Sequence, residues 1–285
     1  MSPQSVSPSV TQHVPVGIGL RRGPLMREIE EQRPDVDFLE VAPENWLRFG
    51  GPVKERFKAL LEDYPLYTHG LSLSIGGPAA LDLDFVDAVG AFLDEYQPAL
   101  YSEHLSFCSD NAHLYDLMPI PFTEEAIDHV VARIDTVQQR LGRRLVLENV
   151  SYYSPVESTM DEQTFILEIL ERSGCDLLLD VNNVFVNSVN HGYDPYAFID
   201  AMPAERVRYL HVAGHHQVEE DLIIDSHGAP VSAPVWDLLE HTYRHVGPVP
   251  TLLERDFDIP PLEELMGEVA QIRRAAERAL GSKAA

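Results

Sequence analysis

The chain has 285 residues, 45% of them hydrophobic, which suffices for one large α/β barrel or two modest domains. It carries 46 acidic against 21 basic residues, a formal charge of -25. Such a surface repels phosphate backbones and argues against nucleic acid as a partner. A basic peptide or protein partner is compatible with it.

The opening MSPQSVSPSVTQHVP is rich in Ser, Pro and Gln and has neither a basic start nor a long apolar core, so residues 1–14 read as a loose tail. No apolar run approaches the roughly 20 residues that span a bilayer, and a soluble, cytoplasmic protein without membrane contact is expected. Cys108 and Cys175 lie far apart with no C-x-x-C spacing and read as buried thiols. Residues 15–281 are expected to form a single domain, with 282–285 a short C-terminal tail.

Strand and helix patterns alternate from there on. Strands are predicted at 16–20, 38–42, 66–73, 100–107, 144–149, 176–181, 207–213 and 250–255. Amphipathic helices are predicted at 24–33, 53–64, 82–96, 123–141, 161–173, 194–202, 234–246 and 261–280. In the fourth, Ile127, Val130, Val131, Ile134 and Val137 recur at three- and four-residue intervals, the stripe of a helix that packs on a sheet. Gly142, Gly174, Gly247 and Gly281 follow helical patterns where a left-handed terminating residue is expected. Eight βα units in one chain of this length predict a TIM (β/α)8 barrel, with a doubly wound open sheet as the alternative.

Nine side chains able to hold a metal recur at or just past the ends of the apolar runs: His69, His104, Glu148, Asp180, Asn183, His211, Asp225, His227 and Glu254. In a barrel, the C-terminal strand ends and the loops after them form the active face. Any one histidine on a strand is ordinarily a satisfied core residue, but repetition over several strands weakens that reading. Asp180 follows three leucines, and a carboxylate buried there must be paired, hydrogen-bonded or metal-bound. Asp225 and His227 are two apart, so on an extended segment both face one way. Imidazole and carboxylate without thiolate suit iron, manganese or zinc.

The order His, His, Glu, Asp-x-x-Asn, His, Asp-x-His, Glu resembles the trinuclear zinc site of the endonuclease IV family among the xylose-isomerase-like barrels. Asn183 stands where that family's motif carries His. A closer resemblance is to the multinuclear non-heme iron-dependent oxidases. It rests on GIGLR at 17–21, EVAPENW at 40–46, HGLSLSIGG at 69–77, SEHLSF at 102–107, LENVSYY at 147–153, LDVNNVFVNSVNHGYDP at 179–195, HVAGH at 211–215, DSHG at 225–228 and LLERD at 252–256. This resemblance implies an oxidase with two or three irons, mixed-valent Fe(II)/Fe(III), that uses dioxygen to modify cysteine in a ribosomally made precursor peptide, with a partner protein presenting the peptide.

By position, the resemblance groups His69, His104 and Glu148 on one iron, Glu148, Asp180, His211 and Glu254 on a second, and Asn183, Asp225 and His227 on a third. Asp256 is a candidate base or a hydrogen-bond acceptor behind the ligands. Asn45, Asn149, Tyr152 and Asn182, with His191, are candidates for touching the peptide, against a plain loop hydrogen-bonding role. His215 and His216 read as solvent-facing or as supports for ligands, and His13, His113, His129, His241 and His245 carry no assigned chemistry. Gly50-Gly51-Pro52 and Gly76-Gly77-Pro78 read as turns, since neither precedes the Lys of a nucleotide-binding loop. Competing functions are a metal-dependent hydrolase or phosphodiesterase of the endonuclease IV type, a sugar-isomerase-like barrel, and a non-catalytic metal-storing or scaffolding barrel.

Overall fold

The computed structural model describes residues 13–110, 113–154, 158–219 and 221–281, less the side chains of His113 and Tyr115. Most of the expected N-terminal tail and the whole C-terminal one lie outside these residues. The last two tail positions are held: Val14 is buried in the core, and the His13 ring meets Asp37 at 2.7 Å.

All eight predicted strands form and close into one parallel barrel. They are β1 (Val16–Gly19), β2 (Phe38–Val41), β3 (Leu66–Gly70), β4 (Tyr101–His104), β7 (Val146–Glu148), β8 (Asp176–Asp180), β9 (Val207–Val212) and β12 (Thr251–Leu253). Consecutive barrel strands are neighbours, and β12 pairs with β1 to close the ring. The open-sheet alternative is thereby excluded.

Helices α1 (Pro24–Gln32), α2 (Gly51–Leu61), α3 (Leu83–Tyr96), α4 (Glu124–Leu141), α5 (Glu162–Ser173), α7 (Pro195–Ala201) and α8 (Ala233–Val246) connect the strands, and α9 (Leu262–Gly281) follows β12. Ile127, Val130, Ile134 and Val137 of α4 are buried as the stripe predicts, with Val131 at its margin. Gly142 and Gly174 end their helices in the left-handed conformation. Gly281 instead remains inside α9, and Gly247 has positive φ outside the left-handed helical basin.

Two hairpins and a helix were not expected. The strand predicted over 100–107 stops at His104, and a hairpin of β5 (Phe107–Ser109) and β6 (His113–Met118) follows. A second hairpin, β10 (His215–Glu219) with β11 (Leu222–Asp225), follows β9. Helix α6 (Val181–His191) starts directly from the end of β8. Each lies in a loop at the C-terminal face, where length is free to vary without disturbing the barrel.

Inside the barrel, strand alternation makes two layers. Phe38, Val146, Leu178, Tyr209 and Leu252 form an apolar plug, with Tyr67 and Leu100 against it. Gly17 makes room for the plug: a Cβ there would lie 2.2 Å from the Phe38 ring. Two residues further along the strands come Glu40, His69, Glu148, Asp180, His211 and Glu254, all buried. The two-residue repeat of a strand thus sets a polar layer directly above the plug.

Candidate metal centre

Registers between parallel strands bring the polar layer together. His69 lies opposite Ser102, His104 opposite Glu148, and Asp180 opposite His211. The His69 Nδ1–H donates to Ser102 Oγ at 2.9 Å, and that hydroxyl is itself spent on the Thr68 carbonyl. The His104 Nδ1–H donates to the Gly70 carbonyl at 2.9 Å. Both tautomers are thereby set, and both Nε2 atoms are left bare.

These bare nitrogens stand 3.1 Å apart, and Glu148 Oε2 is 2.8 Å from one and 3.3 Å from the other. Three acceptors this close repel unless a cation or a proton lies among them. Burial pushes both histidines down to about 4 and Glu148 up to about 7, so the carboxyl is the most readily protonated of the three in metal-free protein.

A second group joins Glu148 to Asp180, His211 and Glu254, with one ligand atom from each within 4.8 Å of the others. His211 Nδ1 contacts Glu254 Oε2 at 2.9 Å, and its Nε2 contacts Glu40 Oε2 at 3.2 Å. Against the desolvation of burial, Glu254 and Glu40 hold His211 well above its ordinary value. Likewise, against burial, His211 and His227 keep Glu254 well below the carboxylate range. Asp180 goes the other way, raised by burial and by the nearby Glu148.

The third group contains His227, Glu254 and Asp256. Asp225 and His227 do meet, at 2.6 Å, but through a left-handed turn at His227 (φ 49°) beyond the end of β11, where the sequence suggested an extended pair. Asp225 is fixed from behind: Asn182 Nδ2 donates to it at 2.8 Å, and Asn182 Oδ1 in turn faces His215 Nδ1 at 2.8 Å. Ser151 Oγ donates to its other oxygen.

Asp180 Oδ2 and Asn183 Oδ1 are buried without a hydrogen-bond partner, while Glu148 Oε2 and His227 Nε2 each face another of these side chains, His69 at 2.8 Å and Asp225 at 2.6 Å. Buried polar oxygens are seldom left unpaired. The donor set is nitrogen and oxygen. Such a site fits borderline divalent metals, in more than one position.

The other expected residues are distributed as follows. Asn183 donates through Nδ2 to Glu148 Oε1 at 3.2 Å and to the Asn149 carbonyl, which leaves its Oδ1 free. Asn149 grips the backbone of Asp180 by two hydrogen bonds, fixing the strand end. Asn45 lines the cavity over the metal groups, whereas Tyr152 and His191 line a separate one. Asp256 joins the third group and is bound by Arg21; against burial and Glu254, His227 and Arg21 keep its carboxyl lowered. His129, His241 and His245 each have a hydrogen-bond partner away from the site. Cys108 and Cys175 are free buried thiols, and Cys108 borders the same cavity.

Glu40 and Arg21 were missed. Glu40 is held by the Tyr209 hydroxyl at 2.8 Å and faces His211. Its signal was present: it stands two residues after Phe38 in a predicted strand, as Glu148 does after Val146. Above the groups opens a cavity of about 520 Å³, whose lining includes Arg21, Leu71, Tyr153 and Phe257.

The family model described as RiPP precursor modification enzyme MbnB/TglH/ChrH matches residues 15–277. The chain belongs to this family. Among the relatives of this MbnB/TglH/ChrH member, a UPF0276 protein of Acinetobacter baylyi is 54% identical over 264 residues, covering 93% of this chain and 92% of the relative. One of Shewanella amazonensis is 52% identical over 257 residues, covering 90% and 92%. In fold, it is similar to 3-keto-D-glucoside 4-epimerase from E. coli (TM-score 0.63, 13% identity, 92% and 100% covered). Endonuclease IV from Thermus thermophilus is also similar (0.59, 16%, 93% and 99%). At these identities the likeness concerns the TIM-barrel fold alone. Among the described residues no helix is long and apolar enough to cross a membrane.

Proposed function

We propose that this chain is a multinuclear iron-dependent oxidase that uses dioxygen to modify a cysteine of a ribosomally made precursor peptide, which a partner protein presents. The observation that carries the reading is the set of orphaned, thiolate-free donors under an open cavity, in a chain whose family modifies such precursors. Two or three irons, mixed-valent Fe(II)/Fe(III), would be held by His69, His104, Glu148, Asp180, Asn183, His211, Asp225, His227 and Glu254, with Glu40 and Asp256 adjoining. When bound, iron supplies redox capacity and a positive charge that favours the thiolate form of a cysteine.

The chain's own groups do the rest. Ser102 and the Gly70 carbonyl orient two imidazoles, and the His215–Asn182 pair orients Asp225. Asp256, low in pKa and tied to Arg21, serves better as an anchor for His227 than as a base that must accept a proton near neutral pH. Leu71, Tyr153 and Phe257 are exposed at the cavity and offer apolar contact to the residues flanking the cysteine. Arg21 is the only arginine or lysine among the described lining residues, too little positive charge for a phosphate backbone. We place the reaction in the cytoplasm, where thiols stay reduced.

Elemental analysis and Mössbauer spectroscopy on anaerobically purified protein test the reading, followed by dioxygen uptake with a cysteine-bearing precursor. Two or three coupled irons and thiol-dependent oxygen consumption are expected. Three zincs with no iron would overturn it in favour of a hydrolase, and substitution of His211 that leaves both iron load and rate unchanged would also overturn it.

A further inference from the structure

A second cavity, of about 440 Å³, lies beside the first. The two share the segment after β7: Ser151 and Tyr153 line the metal cavity, while Tyr152 between them lines this one. Its walls are two stacked aromatic pairs. Tyr152 lies on His191 with ring centroids 3.9 Å apart, and Tyr193 lies on Phe198 at 5.4 Å. His191 is held in place because its Nε2–H donates to the Tyr152 carbonyl at 2.9 Å.

Glu162, at the start of α5, also lines this cavity and is 93% buried, since only 7% of its surface is exposed. Asn187 donates to its Oε1 at 3.1 Å, the Tyr152 and Tyr193 hydroxyls bear on the carboxylate from the cavity wall, and Oε2 has no partner at full hydrogen-bond distance. Two further carboxylates, Asp161 and Asp194, lie in the lining, each with an oxygen committed to capping a helix. No arginine or lysine is among the described lining residues.

We propose that this cavity binds an organic cation, an alkylammonium or guanidinium group, between the aromatic pairs with Glu162 as its counter-charge. Aromatic faces attract a cation through their negative quadrupole, and a buried carboxylate is stabilised by a partner of opposite charge. A bare metal ion fits less well, because Asp161 and Asp194 are exposed and the single buried carboxylate of Glu162 falls short of the several oxygens that hard cations require. The volume also suits a group of several heavy atoms. The cation has two sources, a lysine or arginine side chain of a peptide or a free amine. The inference does not rest on the oxidase reading.

The test is calorimetric titration of the full-length protein at pH 8.5 with n-pentylammonium, and with pentan-1-ol as a neutral probe of like shape. Burial pushes Glu162 up to about 8, so the carboxylate predominates at that pH. The amine is expected to bind about tenfold or more tightly than the alcohol. Glu162→Gln should abolish that preference, and Tyr193→Leu should weaken the amine even if the first variant folds poorly. His104→Ala, in the metal centre, should leave amine binding intact. Equal binding of amine and alcohol, undiminished binding in Glu162→Gln, no binding of amine at millimolar concentration, or loss in His104→Ala would each overturn the proposal. A blocked lysine tripeptide that binds more tightly than pentylammonium identifies a peptide side chain as the occupant; one that binds no better identifies a free amine.

Discussion

Asp180 Oδ1 accepts the backbone N–H of Asn183 at 2.7 Å, while Asp180 Oδ2, also buried, has no partner. One carboxylate therefore ends β8, caps α6 and offers an oxygen to the metal groups. The two duties separate by substitution. Asp180→Asn keeps a capping oxygen, whereas Asp180→Ala loses it, and the alanine variant should be the less stable by about 1 kcal/mol. Both should lose bound metal. Urea denaturation of metal-free protein and elemental analysis check the two halves independently, and equal stability of the variants would remove the cap from the account.

Glu148 belongs to two of the ligand groups, one with His69 and His211 and one with Asp180, His211 and Glu254, while His104 belongs to neither and meets Glu148 at 3.3 Å. Glu148→Ala should accordingly lower the metal content by more than one ion per chain, and His104→Ala by about one at most. Metal-to-protein ratios after identical reconstitution decide this. Equal losses would mean that Glu148 does not bridge.

Gly17 is required by the plug rather than by a turn. Its added Cβ would meet the Phe38 ring at 2.2 Å, so Gly17→Ala should destabilise by about 1–3 kcal/mol. Adding Phe38→Leu should recover part of the loss, because the obstructing ring is gone. The double-mutant cycle in urea reads this coupling directly, and strict additivity would contradict it.

Glu162 gives a dependence on pH away from the metal groups. Burial raises its carboxyl to about 8 in the folded chain, with Tyr152, Tyr193 and Asp161 as its titratable neighbours. A raised carboxyl pKa means that the folded state holds the proton more tightly than the unfolded state. Its stabilisation is full below about pH 4.5 and is lost as the pH rises toward 8, with a slope of at most about 1.4 kcal/mol per unit. Glu162→Gln should therefore be more stable relative to the parent at pH 8.5 than at pH 5. A stability difference that does not change between these pH values would refute the shift.

The candidate metal ligands were legible because they obey the same two-residue repeat as the strands that carry them. His69, Glu148, His211 and Glu254 each stand two positions beyond an inward-facing plug residue, and alternation alone predicts a common face. Glu40 obeys the repeat too, two positions beyond Phe38. Asp225 and His227 came from a hairpin and a left-handed turn, which no periodicity marks. Asn149 and Asn182 were seen as polar loop residues, but their hydrogen bonds to the Asp180 backbone and to Asp225 depend on the register of β7 with β8 and on the packing of α6 beside β11.

By itself, the sequence determined the eight βα units, the barrel they imply and the borderline-metal character of the donors, because hydrophobic period and ligand chemistry are local properties of the chain. Only the tertiary structure decided which donors meet, which oxygens are already spent on caps and neighbours, and that Tyr152 turns from the metal cavity toward a second one. Those are matters of register, loop closure and desolvation, and they arise between segments tens of residues apart.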